Sequence, residues 1–407
     1  MTAFVYLPGK SPALAERWLE TEAEAGQGPV CLIAEPAYAE LANAIRRRFP
    51  SVADVWMLPE QTDALPPSPD PRVAAAGHTK VVLPVSFNVT PMHFIEGTHI
   101  PEISSYYPVF RHLWRLGFRE FQTYTLSGNR VFRIPHFLEA FRNRHLGRRC
   151  FVAGNGPSLN AIDMSRLKTE TVFGANRCYL GFEQWGFGFP YWGITDWLQI
   201  EEYGAEYERR VPPETTVFFP FDYLPWLRFA NGCPVDFQYW NHPRFSDTGE
   251  RLAMGHTVIY TLLQIAAAMG CDPIILIGVD HRYHLRPAPV WRRAMRAARD
   301  RLVAPLRGTP LYKGVRAWRQ ARTEARSGST VQPRVYWEAV DADGPTHFDE
   351  RYADSGGRRF LLPKPDEAKR EFREAARWAR KKGVRILNAT PDSALRAFPC
   401  VAYDDLF

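Results

Sequence analysis

At 407 residues, 45% apolar and 23% charged, the chain has the balance of a soluble globular protein of two or three domains. No stretch of about 18 apolar residues offers a membrane span, and Met1 to Tyr6 lacks the charged start and apolar run of a signal peptide, so a cytosolic protein is expected. The net charge of +7 is concentrated: residues 285–334 hold 13 Lys/Arg and 2 Asp/Glu, or +11, and the remainder carries −4.

Residues 1–147 read as an N-terminal α/β region. Phe4 to Leu7 is a short apolar run, helical spacing covers 11–24, and Val30 to Ala34 is a buried-strand pattern. A helix over 36–48 and a strand over Val55 to Leu58 follow. The alternation argues for a parallel sheet. Pro66, Pro67, Pro69 and Pro71 mark a loop or linker, after which Lys80 to Val85 resumes the sheet. This region carries no motif that points to catalysis.

Residues 148–283 and 346–407 read as a second domain, interrupted by a basic helical insertion at 284–345. Strands are predicted at Cys150 to Ala153, Thr171 to Ala175, Tyr191 to Thr195, Thr216 to Phe219, Pro273 to Val279 and Val384 to Asn388. Helices are predicted near 158–167, 256–269 and 366–382. Strands this apolar are covered on both faces, so the expected fold is a doubly wound, Rossmann-like, mostly parallel sheet. Ligands on such sheets bind at the carboxyl ends of the strands. The six cysteines are scattered with no C-x-x-C spacing, which reads as buried free thiols.

Five motifs fall at strand ends or helix starts. Gly154-Asn155-Gly156-Pro157-Ser158-Leu159 follows a strand and opens the helix near 158; glycines allow a close backbone approach, and Ser158 can cap the helix or bond a phosphate. It lacks the Lys-Ser/Thr of a Walker loop and the third glycine of a dinucleotide fingerprint, and a tight strand-to-helix turn is the plainer alternative. Asn176 and Arg177 end the next strand, and Asp196 ends the third; an Asn offers both donor and acceptor to a base or sugar, or caps a helix. Gly255-His256-Thr257 opens another helix and supplies free N–H groups for an anion, or an ordinary cap. Asp280 and His281 end the most apolar strand, with Tyr283 two residues on. His347 lies in a polar segment, where it is a general base or a bland surface group.

Together these segments resemble a superfamily containing the bacterial family 42 sialyltransferases, the motility accessory factors (Maf) that glycosylate flagellin, and the archaeal MptE-type 6-hydroxymethylpterin diphosphokinases. The matching pieces are Ala153 to Leu159 with Ile162-Asp163, Gly174 to Leu180, Gly255 to Val258, Ile277 to Asp280, His347 to Tyr352, Asn388-Ala389-Thr390, and the terminal Phe398-Pro399 and Tyr403 to Phe407. They agree in order and spacing over roughly half the chain. The sequence departs from the pattern at His256, where a second glycine or a serine is more usual, and in the added insert.

The resemblance implies a nucleotide-dependent transferase with a sialyltransferase-like fold. In its glycosyltransferase branch, Gly154, Asn155, Gly156, Pro157, Ser158, Asn176, Arg177 and Asp196 would hold a cytidine-monophosphate sugar of the nonulosonate type. Gly255, His256 and Thr257 would take the donor phosphate or carboxylate. His347 would act as base on the acceptor, with Asp280 as its catalytic companion and His281 and Tyr283 nearby. Inversion would follow from one displacement onto a glycan, lipid-linked or protein acceptor in surface-glycan or protein glycosylation. No cofactor or metal is implied in that branch. In the diphosphokinase branch the loop would hold adenosine triphosphate, and Asp280 with Asp196 would bind magnesium. A third reading keeps the fold as a non-catalytic nucleotide-binding protein.

The insert places Trp291, Met295, Ala298 and Leu302 at helical spacing among arginines. A basic amphipathic helix suits peripheral contact with the inner face of a membrane, a lid over a phosphate, or a solvated helix packed on its own domain. No nucleic-acid module is recognised, and a homo-oligomer is compatible with the sequence.

Overall fold

The computed structural model describes residues 3–7, 12–24, 29–59, 70–76, 80–87, 106–125, 128–224, 227–239, 244–282, 285–287, 337–339, 347–353 and 363–407. Tyr283, the insert helix expected around Trp291 and the proline stretch 66–69 lie outside them.

The N-terminal strands are Ala3–Tyr6 (β1), Val30–Ala34 (β2), Val52–Met57 (β3), Lys80–Phe87 (β4), Glu120–Thr125 (β5) and Gly128–Arg133 (β6). They form one six-stranded sheet in the order β3-β2-β1-β4-β5-β6, parallel except for the β5–β6 hairpin. The connecting helices are Pro12–Glu24 (α1), Ala39–Arg48 (α2), Pro71–Ala76 (α3) and Tyr107–Arg115 (α4). All five residues of β2 are buried, because both faces are covered. Leu32 faces a core with Val5, Leu19 and Ile45, and Ile33 faces the opposite one with Phe4, Phe110 and Phe121, the two-residue alternation of a pleated strand.

The second sheet takes Cys150–Ala153 (β7), Val172–Ala175 (β8), Tyr191–Gly193 (β9), Thr216–Pro220 (β10) and Gly232–Val235 (β11). Phe237–Tyr239 (β12) and Leu252–Met254 (β13) form a separate parallel pair. Ile274–Ile277 (β14) returns to the main sheet, Leu285–Pro287 (β15) and Trp337–Ala339 (β16) pair antiparallel, and Ile386–Asn388 (β17) closes the sheet. The main order is β11-β10-β9-β8-β7-β14-β17, parallel at every pairing. Its helices are Phe182–Trp185 (α5), Trp197–Arg210 (α6), Val258–Ala268 (α7), Glu350–Ala353 (α8) and Pro365–Lys382 (α9). The chain is thus mixed α/β and doubly wound. It walks outward from β7 to β11, then returns to lay β14 on the other side of β7. That reversal puts the topological switch point between β7 and β14.

The stretch 138–147, read from sequence with the N-terminal region, is bonded to the second sheet's layer. Asn143 and His145 donate backbone N–H groups to the carbonyls of Ala268 and Met269, and Phe141 packs on Tyr191 and Phe218. Glu139 in the same stretch takes Arg111 and Arg115 of α4, so it ties the two sheets together.

The helix expected near 158–167 is instead two 3-10 turns, Pro157–Ala161 and Met164–Leu167. Between them Ile162 and Asp163 are extended, and the Asp163 carboxylate accepts the Ser165 N–H at 3.0 Å. A short side-chain acceptor that satisfies nearby backbone competes with helix continuation. Among the cysteines five are buried, and Cys400 is the exposed exception.

Candidate functional site at the switch point

The loops after β7 and β14 touch. Gly154 and Gly156 donate backbone N–H groups to the carbonyls of Ile277 and Gly278 at 2.8 and 2.9 Å. A Cβ on Gly154 would stand 2.3 Å from the Gly278 oxygen, and one on Gly156 would stand 1.7 Å from Asp280 Oδ2. Gly278 has φ +62, which favours glycine. The glycines are therefore required by the approach of one strand-end loop to the other. The Ser158 hydroxyl donates to Asp280 Oδ2 at 2.7 Å, and burial pushes the Asp280 carboxyl up, opposed by that bond. Because the turn opened by Pro157 is only five residues of 3-10 helix, the loop has no α-helix N-terminus to offer a phosphate.

Beside this contact lies a polar cluster built from three segments. Asn155 ends the β7 loop and donates through Nδ2 to the Ala175 carbonyl at 2.8 Å and to the Tyr352 hydroxyl at 3.4 Å. Asn176, at the end of β8 with φ +45, also hydrogen-bonds Tyr352 through its side chain. The carboxamide oxygens of Asn155 and Asn176 are both buried and have no hydrogen-bond partner among the described residues. Orphaned buried acceptors are uncommon and carry a desolvation cost.

The segment 347–352 is stitched to this cluster. Phe348 donates its N–H to the Asn155 carbonyl at 3.0 Å, and Asn160 donates to the Phe348 carbonyl at 2.7 Å. The buried Arg177 donates to the carbonyls of Arg351 and Tyr352 at 2.7 and 3.0 Å, faces the Tyr203 ring at 4.3 Å and lies 3.6 Å from Glu206. Its guanidinium serves the protein's own chain. The His347 ring stacks on Tyr352 with centroids 3.9 Å apart. Burial, then the nearby Arg177 charge, lowers its pKa to about 4, so the imidazole is neutral at pH 7.

Two expectations are changed by the geometry. Gly255-His256-Thr257 does open α7, and Thr257 caps it, accepting the Ile259 N–H at 3.3 Å. But the anion at this terminus is the protein's own. Glu371 of α9, 2% exposed, accepts the His256 N–H at 2.8 and 3.0 Å and meets its Nδ1 at 2.6 Å. A Cβ on Gly255 would lie 2.6 Å from Glu371 Oε2, so the glycine makes room for that carboxylate. The place predicted for a donor phosphate is filled.

The second concerns Asp196 and Asp280 as a magnesium pair. Asp196 sits after β9, where it accepts the Gln199 N–H at 3.4 Å and starts α6. Asp280 follows β14, three strands away. At ~4.8 Å per strand they are separated by about 14 Å and do not fit one ion. His281, with φ +52, turns towards α9 and meets the Phe372 ring edge at 5.9 Å; burial, then Lys369, lowers its pKa to about 4. It is directed away from the Asn155–Asn176 cluster.

Sequence reading gave no role to Tyr352 and Glu371. Glu371 had a signal: it falls within the apolar stripe Ala368, Phe372, Ala375 and Ala379 of an otherwise charged helix. Tyr352 closes the segment His347 to Tyr352 that carries the resemblance, but its partners lie about 175 to 200 residues away, so its role was not legible.

No protein-family model matches the chain, and no curated protein does. Among solved structures, the Maf glycosyltransferase from Magnetospirillum magneticum AMB-1 aligns with 100% of this chain at 11% identity and a TM-score of 0.34. The chain spans 58% of that protein's length. A likeness that slight fixes neither fold nor activity.

Proposed function

We propose that the protein is a nucleotide-dependent transferase, an inverting glycosyltransferase whose donor is a nucleotide-activated acidic sugar of the nonulosonate type. One observation carries the reading: two buried carboxamide oxygens, on Asn155 and Asn176, have no donor among the described residues and stand at adjacent strand ends next to the β7/β14 switch point. In this reading they accept N–H or O–H groups of a nucleoside, and the switch point is where open α/β sheets bind such ligands. His347, neutral at pH 7 and stacked on the tyrosine that links both asparagines, is the proton acceptor for an attacking hydroxyl. Asp280, tied to Ser158, fixes the loop from the other side.

The phosphate is not assigned to the start of α7, because Glu371 occupies it. Nor is magnesium derived from Asp196 and Asp280.

A thermal-shift panel of cytidine, uridine, guanosine and adenosine nucleotides, each with and without magnesium, tests the reading. A ligand at about 100 dissociation constants stabilises the folded state by roughly 2.7 kcal/mol. A metal-independent rise with cytidine monophosphate, lost in Asn155→Ala, is the expected result. A rise with adenosine triphosphate only in magnesium would move the assignment to diphosphoryl transfer, and no rise with any nucleotide would overturn it.

A further inference from the structure

A second site is formed by α9 and the chain after it. A groove of about 860 Å³ runs between α9 and residues 384–399. Lys369, Arg373, Arg377 and Arg380 form one wall, Arg385 and Arg396 the other, and no Asp or Glu lines it. All six are exposed. Between them Leu395 and Phe398, both buried, and Ala376 form an apolar floor.

A solvated basic helix face ordinarily intersperses its charges with carboxylates. Here Arg377 pairs with Glu374 and Arg385 with Asp272. Lys369, Arg373, Arg380 and Arg396 have no ion pair among the described residues. Lys369–Arg373 and Arg373–Arg377 are spaced i,i+4, so they repel along the helix. The concave shape brings a second row of cations up to the first, and a low-dielectric floor strengthens the field between them. Two facing rows suit an extended chain rather than a flat bilayer. From Lys369 to Arg380 the row spans about 16 Å at 1.5 Å per residue. One end of the groove reaches the switch point, since Ala394 in its lining donates its backbone N–H to the Asp280 carbonyl at 2.8 Å.

We propose that this groove binds an extended, multiply anionic glycan, the acceptor chain leading out of the switch-point site. The carbohydrate identity rests on the transferase reading above; the polyanion chemistry rests on the groove alone. Each anionic group would sit between the two basic rows while a sugar face covers Ala376.

The test uses the full chain and three labelled probes of similar length: a hexagalacturonate, an uncharged maltohexaose and a single-stranded oligonucleotide. Hexagalacturonate should bind, and binding should weaken steeply with salt. The triple variant Arg373→Ala, Arg380→Ala, Arg396→Ala should lose at least tenfold in affinity. A control with the same loss of charge, Arg47→Ala, Arg370→Ala, Lys381→Ala, should lose less than threefold. Equal losses in the two variants, equal binding of maltohexaose, or tighter binding of the oligonucleotide would each overturn the proposal. Nucleotide-induced thermal shift measured on the same preparations separates the two ideas: a retained shift with no glycan binding sinks the groove and leaves the transferase reading standing.

Discussion

The buried Glu371 of α9 and the partly buried His256 at the start of α7 form a pair, in which one carboxylate takes both the backbone N–H and the ring of its partner. The carboxylate sits beside the start of α7, where negative charge is favoured by the partial positive charge of the helix terminus. It also ties α9 to the start of α7.

That geometry sets the first prediction. Glu371→Ala leaves the His256 N–H buried without an acceptor and should cost about 3 kcal/mol. Glu371→Gln keeps one acceptor and should cost about half as much. Urea unfolding followed by circular dichroism checks this, and equal midpoints for wild type and Glu371→Ala would refute the role.

Gly156→Ala should be far more damaging than Gly186→Ala. The first Cβ would stand 1.7 Å from Asp280 Oδ2, while Gly186 has φ +74 but nothing within 4 Å. Conformational strain alone at Gly186 costs about 1 kcal/mol, whereas Gly156→Ala must part the two switch-point loops. Asp280→Ala in the same chain should restore part of the loss. Thermal melts of the three variants and wild type give the comparison.

Asn176 adopts φ +45, so the informative replacement is glycine. Asn176→Gly should keep stability within about 1 kcal/mol of wild type and still abolish nucleotide-induced stabilisation, because only the carboxamide is removed. Calorimetry with cytidine monophosphate reads it; unchanged affinity would remove Asn176 from the site.

His281 and His347 give the pH dependence. Burial is the main cause that lowers both to about 4 in the fold, whereas an unfolded imidazole titrates near 6.5. Between these values the unfolded chain binds protons that the folded chain refuses. The contribution is therefore complete above about pH 6.5 and is lost as the pH falls towards 4. With His347 only half-buried, on the order of 2 to 3 kcal/mol for the pair is expected. Arg177→Gln removes the positive neighbour of His347 and should raise its titration midpoint. Two-dimensional NMR of the imidazole resonances tests the sign directly.

Where local chemistry and periodicity decide, the sequence already contained the answer. Buried strands such as Val30–Ala34 and Cys150–Ala153 and the charged helix over Pro365–Lys382 are legible because an apolar run or a 3.6-residue stripe is a local property. So was the gathering of motifs at strand ends, which follows from alternating strands and helices. The helix start at Thr257 was legible for the same reason. What the tertiary structure alone decided is which group answers each motif. Gly154 and Gly156 face another loop, the terminus of α7 faces Glu371, and Arg177 faces the carbonyls of Arg351 and Tyr352. Each partner is more than 100 residues away along the chain. A glycine or a helix end states only that something approaches closely or carries negative charge. Packing of distant segments chooses between a ligand and the protein itself, and no local pattern encodes that choice.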